Sequence, residues 1–376
     1  MDYSLFSADD HVDLHYLPAD LWHDRVPKRY QERCPHLVDN GTTREWRANG
    51  LTFGRRLPPS DDKLYSTFGA YSTPVMHEQG RWRPTTPDLR LADMDRDHVQ
   101  GHVLYGTVPG FNIDDPELNV VWIRAYNDWI AEFCSYDSDR LIGLGFLPVN
   151  NVEVATAELL RCAKIGLKGV QFPAFSAFKY PQDSAWEPLW SAANETRIPI
   201  SFHIASGTWS CNFSLPGERI SGRGDAATFL VTGPNQLDEI LCSLIFCGAL
   251  KRYPRFRVVL AECGIGWIPY ILERMDRKFE EKQRSKKQDD AAELDMLPSE
   301  YYKAQMHATF EEDPVGIRLL DLIGENTIMW ASDYPHPDSV WPNSHTVVDE
   351  MFKDVDPTVK RKIVRENAMN LYGVGL

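Results

Sequence analysis

The sequence predicts an α/β protein built as a (β/α)8 TIM barrel, a single domain over residues 1–376 with long insertions after its first and fifth strands. Two observations predict this fold: eight short apolar runs alternate with longer helical stretches, and several of the runs are almost continuously apolar. Parallel strands that helices cover on both faces have that composition. Hydrophobic residues make up 43% of the chain, enough for the sizeable core that such a barrel encloses.

The predicted strands are the eight apolar runs, each followed by a polar break. In chain order they are Tyr3–Ala8, Val103–Tyr105, Leu141–Leu147, Leu167–Phe172, Ile198–Ile204, Phe256–Ala261, Gln305–Phe310 and Thr327–Ala331. Eight strands that alternate with helices fit a closed barrel better than a doubly wound sheet.

The predicted helices are the longer stretches between these runs. They include Val152–Ile165, Ala185–Glu195, Leu237–Arg252, Trp267–Gln283, Pro314–Ile323 and Pro357–Leu371. Pro314 suits the first turn of its helix, because proline lacks the N–H that a first-turn residue leaves without a partner. The three acidic residues 311–313 that precede it favour a helix start through their charge.

Two segments do not follow the alternation of strands and helices. Residues from about 37 to 90 are rich in Gly, Pro, Arg, Tyr and Trp, and residues from about 206 to 235 contain several Gly and Ser. Each follows a predicted strand, so both are expected at the carboxyl-terminal mouth of the barrel, where long loops usually serve function. We interpret both as insertions that cover a substrate, with an oligomer contact or an ordinary surface loop as the alternative.

Charge and composition exclude several classes of partner. The chain carries 40 Lys and Arg against 54 Asp and Glu, a net charge of −14, which disfavours binding to nucleic acid or to an anionic membrane. The longest nearly unbroken apolar run, Ile240–Leu250, is too short to span a bilayer. No secretion signal is visible, and the seven cysteines form no CxxC pair. We expect a cytoplasmic protein that acts on a small molecule and assembles as a homo-oligomer, a dimer or tetramer.

Four predicted strands end in polar side chains that a core does not require. Asp9 and His11 close the first strand, His203 the fifth, Glu262 follows the sixth and Asp333 the eighth. Residues two apart in an extended segment point the same way, so Asp9 and His11 can share a ligand. Each residue alone has an ordinary explanation as a rim, turn or ion-paired residue. Gathered at one barrel mouth they form an uncompensated charge cluster unless a cation lies between them, and a divalent metal is the simplest such cation.

The sequence resembles the amidohydrolase superfamily, and within it the amidohydrolase-2 branch that includes aminocarboxymuconate-semialdehyde decarboxylase. Three stretches carry the resemblance: the opening SADDHVDLHYLPADLW, the PISFHIAS strand with LAECGIGWIPYILERMD after it, and the late IMWASDYPHPDSVWP. They are spread over almost the whole chain, so the resemblance covers the fold as well as a single motif.

The resemblance implies a metal site. It places Asp9 and His11 at the family's first pair of ligands, His203 at the histidine ligand of strand five and Asp333 at the aspartate of strand eight. In the decarboxylases a catalytic histidine often occupies the strand-six position, which is Glu262 here. No lysine is placed to be a carboxylated bridge, which favours a mononuclear site. Two His and two Asp suit one divalent ion, Zn²⁺ or Mn²⁺.

The remaining roles follow from position around that metal. Asp333 is the expected general base, and Glu262 a second acid/base group or a residue that orients the site. His203 belongs to the catalytic set as well as to the ligands. His336 is a candidate for binding a substrate oxyanion, with an ordinary loop histidine as the alternative. Arg223, in the second insertion, is a candidate cation for an acidic substrate, with a solvated loop charge as the alternative.

Two enzymatic hypotheses follow. In the first, a metal-dependent hydrolase, metal-activated water attacks a C–N, C–O or C–C bond of a small cyclic or aromatic substrate that bears a carboxylate. The second is a metal-dependent non-oxidative decarboxylase of an aromatic or unsaturated acid. Glu262 in place of the decarboxylase histidine favours the hydrolase, and Glu262→Gln is expected to spare metal binding while slowing the reaction. A non-catalytic metal-binding protein is the third alternative.

Overall fold

The computed structural model describes residues 4–14, 16–39, 44–56, 64–66, 69–71, 77–78, 80–106, 115–205, 225–285, 291–336 and 339–375. Within them, eight parallel strands form one sheet in which neighbours follow chain order. They are β1 (Leu5–His11), β2 (Val99–Tyr105), β3 (Leu141–Phe146), β4 (Gly169–Gln171), β5 (Ile200–His203), β6 (Val258–Ala261), β7 (Met306–Phe310) and β8 (Ile328–Trp330). A doubly wound sheet reverses its strand order at a switch point, so this order confirms the predicted barrel.

The barrel closes between its last and first strands through backbone hydrogen bonds just beyond β8. The Asp333 N–H donates to the Asp9 carbonyl at 3.0 Å, and the His11 N–H donates to the Tyr334 carbonyl at 2.7 Å. These bonds place the residues that follow β8 directly beside the end of β1. Side chains from the first and last strands therefore share one mouth.

The helices surround the strands. They are α1 (Pro87–Arg96), α2 (Pro116–Cys134), α3 (Val152–Lys164), α4 (Glu187–Thr196), α5 (Asp225–Thr232), α6 (Asp238–Phe246), α7 (Ala249–Arg252), α8 (Ile268–Ser285), α9 (Pro298–Gln305), α10 (Pro314–Arg318), α11 (Leu320–Ile323), α12 (Ser344–Met351), α13 (Pro357–Arg361) and α14 (Asn367–Tyr372). The predicted helix Leu237–Arg252 is interrupted at Gly248, whose φ of 76° lies outside the helical region, so it forms α6 and α7. The start of α10 is as predicted, because the Asp313 carboxylate accepts the Gly316 N–H as an N-cap.

The interior and the exterior of the barrel have separate apolar cores. Inside, side chains of β1, β2, β3, β6 and β8 pack together with residues of α14, and the strand members include Phe6, Ala8, Ile142, Val259 and Met329. Outside, the opposite faces of the strands pack against the helices. Both faces of each strand are therefore buried, which explains the nearly continuous apolar runs in the sequence.

The first insertion contains short antiparallel strands that the sequence did not predict. A three-stranded sheet is formed by His36–Asp39, Arg44–Ala48 and Leu51–Arg56, and two further pairs by Leu64–Ser66 with Gly69–Tyr71 and His77–Glu78 with Arg81–Trp82. Strands this short show no clear alternation of apolar and polar residues, which is why the segment has no visible period.

Trp46 attaches this insertion to the barrel. Its side chain is buried, its indole N–H donates to the Leu14 carbonyl at 2.8 Å, and it packs edge to face on Trp22 with centroids 5.4 Å apart. In the second insertion, residues 206–224 lie outside the described residues. Across the described parts of the chain, no helix combines the length and apolar character needed to cross a membrane.

Candidate metal centre

A β-bulge in β1 aims two polar side chains into the mouth of the barrel. Between Ser7 and Asp10 the register of β1 against β2 slips by one residue. Ala8 faces the interior, and strict alternation would turn Asp9 to the outer face. The extra residue brings Asp9 and His11 to the inner side, where Asp9 Oδ1 and His11 Nε2 lie 3.6 Å apart. Bulges beside active sites commonly redirect side chains in this way.

Strands β5 and β8 bring two more predicted ligands to the same point. His203, the last residue of β5, has its Nε2 3.7 Å from Asp9 Oδ1. Asp333, shortly after β8, has its Oδ1 3.3 Å from His11 Nε2. The rings of His11 and His203 meet edge to face with centroids 5.0 Å apart. The structure thus brings together all four residues that the sequence resemblance proposes as ligands.

Hydrogen bonds behind these side chains determine which atoms face the centre. His203 Nδ1 donates to the Ile204 carbonyl at 2.7 Å, so Nε2 is the ring nitrogen that faces the cluster. The Thr309 hydroxyl donates to Asp9 Oδ2 at 2.7 Å, which leaves Oδ1 to face the imidazoles. The same Thr309 oxygen accepts the Glu262 N–H at 2.7 Å, so one hydroxyl links β1, β6 and β7.

The donor set fits a metal ion. Asp9 Oδ1, His11 Nε2 and His203 Nε2 are buried and have no hydrogen-bond partner among the described residues. All three lie within 4.8 Å of one another. Buried polar atoms without partners lose their hydration and gain nothing in return. A divalent cation accepts electron pairs from all three at once, and a mixture of imidazole nitrogen and carboxylate oxygen suits Zn²⁺ or Mn²⁺.

The two metal-facing histidines differ in charge. Burial lowers the pKa of His11 well below its ordinary value, and the neighbouring His336 and His203 rings lower it further. His11 is therefore a neutral imidazole, the form that binds metals. Burial also acts to lower the pKa of His203, but Asp9 and Glu262 outweigh it and hold that pKa well above its usual range. A proton on His203 would therefore compete with a metal ion and would be released when the ion binds.

Strained backbone accompanies two of the site residues. Glu262 and Asp333 have φ angles of 52° and 56°, in the left-handed region that residues other than glycine rarely adopt. Strain of this kind persists at sites where it directs a side chain. Glu262 Oε2 lies 3.2 Å from His203 Nε2 and 3.8 Å from His11 Nε2, so the strand-six carboxylate joins the cluster.

His336, the candidate oxyanion binder, lies between two carboxylates. Its Nε2 is 2.8 Å from Asp13 Oδ2 and its Nδ1 is 2.9 Å from Asp333 Oδ1, and its ring stacks on His11 with centroids 3.8 Å apart. Burial lowers the pKa of His336, but Asp333 and Asp13 outweigh burial and raise it well above its usual range. The charged ring therefore holds Asp333 in place. Arg223, the other candidate substrate-binding residue, lies outside the described residues.

Three supporting residues were missed by the sequence analysis. Asp13 has one signal, since it continues the spacing of Asp9 and His11, but that spacing alone does not distinguish it from a loop residue. Thr309 lies in an apolar run and gave no signal. Arg90 is completely buried on α1, and its guanidinium donates to the His11 carbonyl at 2.8 Å. An arginine in a helix gives no sign that it supports the backbone of a ligand strand.

A closed parallel barrel with imidazoles and carboxylates converging at its carboxyl-terminal mouth defines a class, the barrel enzymes that work with a divalent metal at that position. The Amidohydro_2 family model, described as amidohydrolase, matches residues 12–374. The chain belongs to this family, and it is an enzyme of the amidohydrolase superfamily.

Known proteins of this kind include decarboxylases. The 2-amino-3-carboxymuconate-6-semialdehyde decarboxylase of Dictyostelium discoideum is 27% identical over 296 residues, which cover 77% of either chain. An amidohydrolase of Mycobacterium avium subsp. paratuberculosis superposes with a TM-score of 0.79 at 18% identity, over 99% of this chain and 100% of that one. A 5-carboxyvanillate decarboxylase of Novosphingobium aromaticivorans, solved with bound manganese, superposes with a TM-score of 0.68 at 20% identity, over 99% and 98%.

Proposed function

We propose that the protein is a metal-dependent, non-oxidative decarboxylase of a small aromatic or unsaturated carboxylic acid. The observation that carries the proposal is the convergence of Asp9, His11, His203 and Asp333 in a chain whose similarity to a curated decarboxylase covers 77% of its length. The manganese in a decarboxylase of similar fold supports Mn²⁺ as the ion. We therefore rank decarboxylation above hydrolysis. The sequence alone favours the reverse ranking because of Glu262.

The residues at the mouth have distinct tasks in such a reaction. A divalent ion supplies an electrophile that binds a substrate carboxylate together with a neighbouring oxygen. Asp333 is paired with the protonated His336 ring beside His11, and it passes a proton from that ring to the carbon that loses CO₂. The C–CO₂ bond breaks with its electron pair left on that carbon, and the proton relayed through Asp333 completes the product and leaves His336 neutral.

Glu262 favours hydrolysis as the second candidate function. Its carboxylate lies 3.2 Å from His203 Nε2, at the position where the resemblance implies a histidine in the decarboxylases. In a hydrolase, Asp333 takes the proton from an attacking water, and Glu262 serves as the second acid/base group.

A substrate panel separates the two candidates. Metal-stripped protein is reloaded with Mn²⁺ or Zn²⁺ and given hydroxybenzoates and unsaturated dicarboxylic acids, in parallel with lactones and amides. We expect metal-dependent CO₂ release from one of the acids, lost in Asp333→Asn and retained in Asp321→Asn, a matched change at an exposed residue of α11. Hydrolysis of a lactone or amide, with no CO₂ released from any acid, would overturn the decarboxylase proposal in favour of the hydrolase.

A further inference from the structure

We propose that Glu262 is itself a ligand of the metal, so that the ion is held by three carboxylates and two imidazoles. The inference rests on the metal centre of the proposed function and is independent of the decarboxylation step. It changes the role expected for Glu262 from an acid/base or orienting group beside the ion to a donor that binds it.

The Glu262 carboxylate lies at nearly the same distances from the two histidines as the Asp9 carboxylate. Glu262 Oε2 is 3.2 Å from His203 Nε2 and 3.8 Å from His11 Nε2, and Asp9 Oδ1 is 3.7 and 3.6 Å from the same nitrogens. Metal–ligand bonds of about 2.0–2.2 Å place neighbouring donor atoms about 3.0–3.5 Å apart. Glu262 also belongs, with His11, Asp333 and His336, to a set of residues whose donor atoms lie within 4.8 Å of one another.

The local structure holds Glu262 in this direction. Its φ of 52° turns the chain directly after β6, and its N–H donates to the Thr309 hydroxyl at 2.7 Å. Just downstream, Asp313 Oδ2 accepts the N–H groups of residues 265–266, both at 2.7 Å. The backbone is therefore held on both sides of the residue that bears the carboxylate, and the carboxylate is directed at His203.

An ion pair with His203 is the competing explanation for the 3.2 Å contact. His203 Nδ1 already donates to the Ile204 carbonyl. A histidine that binds a metal through Nε2 presents a lone pair there and has no N–H to donate. With an ion held at His203 Nε2, the Glu262 carboxylate, only 18% exposed, would face the ion in place of a ring N–H.

A site with three carboxylate and two imidazole donors is expected to prefer some metal ions over others. Carboxylate oxygen is a hard ligand that suits Mn²⁺, while Zn²⁺ is commonly satisfied by four donors in a tetrahedron. Loss of one oxygen donor is therefore expected to weaken Mn²⁺ binding more than Zn²⁺ binding.

Metal titration without substrate tests the proposal. Chelator-stripped full-length protein is titrated with Mn²⁺, and the unbound ion is measured by its electron paramagnetic resonance signal. We expect Glu262→Gln to raise the Mn²⁺ dissociation constant by more than about 100-fold, beyond the loss of about 10–100-fold that follows when a residue only orients a ligand, and the Zn²⁺ constant by less. Glu262→Asp keeps the charge but withdraws the oxygen by one methylene, and we expect it to weaken Mn²⁺ binding as well. Glu312→Gln, the same change at an exposed residue after β7, is the matched control and leaves both constants unchanged.

Each outcome has one meaning. An Mn²⁺ affinity in Glu262→Gln that stays within about 100-fold of wild type, with an unchanged circular dichroism spectrum, would overturn ligation by Glu262. Full affinity in Glu262→Asp together with loss in Glu262→Gln would also overturn it, because charge alone then accounts for the effect. Failure of the wild-type protein to bind either ion would instead overturn the metal centre and the proposed function with it.

Discussion

Two buried carboxylates, those of Glu158 and Asp9, differ in how the rest of the chain compensates their negative charge. Glu158 on α3 is fully buried, and it accepts hydrogen bonds from Arg124 at 3.0 Å, from Arg161 at 2.7 Å and from Asn127 at 2.7 Å. Asp9 on β1 is buried to the same extent. One of its oxygens accepts a hydroxyl hydrogen bond, and the other has no hydrogen-bond partner among the described residues.

The difference separates a structural charge from a functional one. The charge of Glu158 is neutralised within the chain by two arginines, so its network is complete once the protein folds. The charge of Asp9 sits beside two imidazoles and further carboxylates, and a cation from outside the chain completes that cluster. Changes in the first region should therefore alter stability, and changes in the second should alter metal binding and turnover.

The largest effect is expected at Asp333, because the proposed function assigns the transfer of the proton to its carboxyl group. Asp333→Asn should lower the turnover number about 10³-fold, because general acid–base groups typically contribute between 10² and 10⁴. Steady-state rates at saturating metal, beside those of Asp321→Asn, measure it. A rate within threefold of wild type, where about threefold is well below any acid–base contribution, would contradict the role of Asp333.

The opposite result is expected in the structural region. Glu158→Gln leaves Arg124 and Arg161 without their shared carboxylate and should lower the free energy of unfolding by about 3 kcal/mol, the low end for a broken buried pair because both arginines are partly exposed, while turnover per folded molecule and Mn²⁺ affinity stay at wild-type values. Urea denaturation and metal titration of the same sample measure both quantities. Reduced Mn²⁺ affinity in folded Glu158→Gln would show that the two regions are not separate.

Metal removal should lower the free energy of unfolding by less than Glu158→Gln does, and only in proteins whose metal site is intact. At a free metal concentration 100 times the dissociation constant, bound metal stabilises the native state by about 2.7 kcal/mol, and chelation removes that amount. We expect chelation to remove this stabilisation from wild type and from Glu158→Gln, and to remove much less from Asp9→Asn. Thermal unfolding with and without chelator measures it, and an equal loss in all three proteins would contradict the placement of Asp9 at the metal.

A third buried carboxyl, Asp97, differs from both because it keeps its proton to a higher pH than an exposed carboxyl does. The N–H and hydroxyl of Ser344 both donate to it, the N–H at 3.0 Å. Burial raises the pKa of Asp97 from 3.8 to about 6, by more than the bonds from Ser344 lower it. The native state therefore binds more protons than the unfolded state between those two pH values, and the contribution of Asp97 to stability falls as pH rises through that window.

The smallest of these effects is expected when Asp97 is replaced by asparagine. Asp97→Asn has no charge to bury, so its free energy of unfolding should rise relative to wild type by about 1–2 kcal/mol between pH 4 and pH 7. Urea denaturation of both proteins at the two pH values measures the difference. A difference that stays constant across this range would show that Asp97 is ionised in the native state throughout.

The barrel could be predicted because most of its strands are apolar runs that can be recognised without knowing their neighbours. β2 shows where this fails. The apolar run begins at Val103, but the strand begins at Val99, because Gly101 and His102 interrupt the pattern. Gly101 is required by a distant residue, since a Cβ there would lie 2.2 Å from the Phe6 ring. A strand boundary set by a contact across the barrel leaves no local signal.

The functional site likewise has residues with a local sequence signal and contacts without one. Asp9, His11, His203 and Asp333 could be predicted because a polar residue at the end of an apolar strand is a local signal. The bulge that redirects β1 depends on register with β2, and the Thr309 hydroxyl reaches a residue 300 positions away in the sequence. Pairings of this kind form only when the chain folds, so no window of sequence contains them.

The most direct test of the metal centre is a crystal structure of the Mn²⁺-loaded protein, with diffraction recorded on both sides of the manganese absorption edge. We predict one anomalous peak per chain, about 2.0–2.2 Å from Asp9 Oδ1, His11 Nε2, His203 Nε2 and Asp333 Oδ1. A map with no peak among these four side chains, or with its peak elsewhere on the chain, would contradict the assignment.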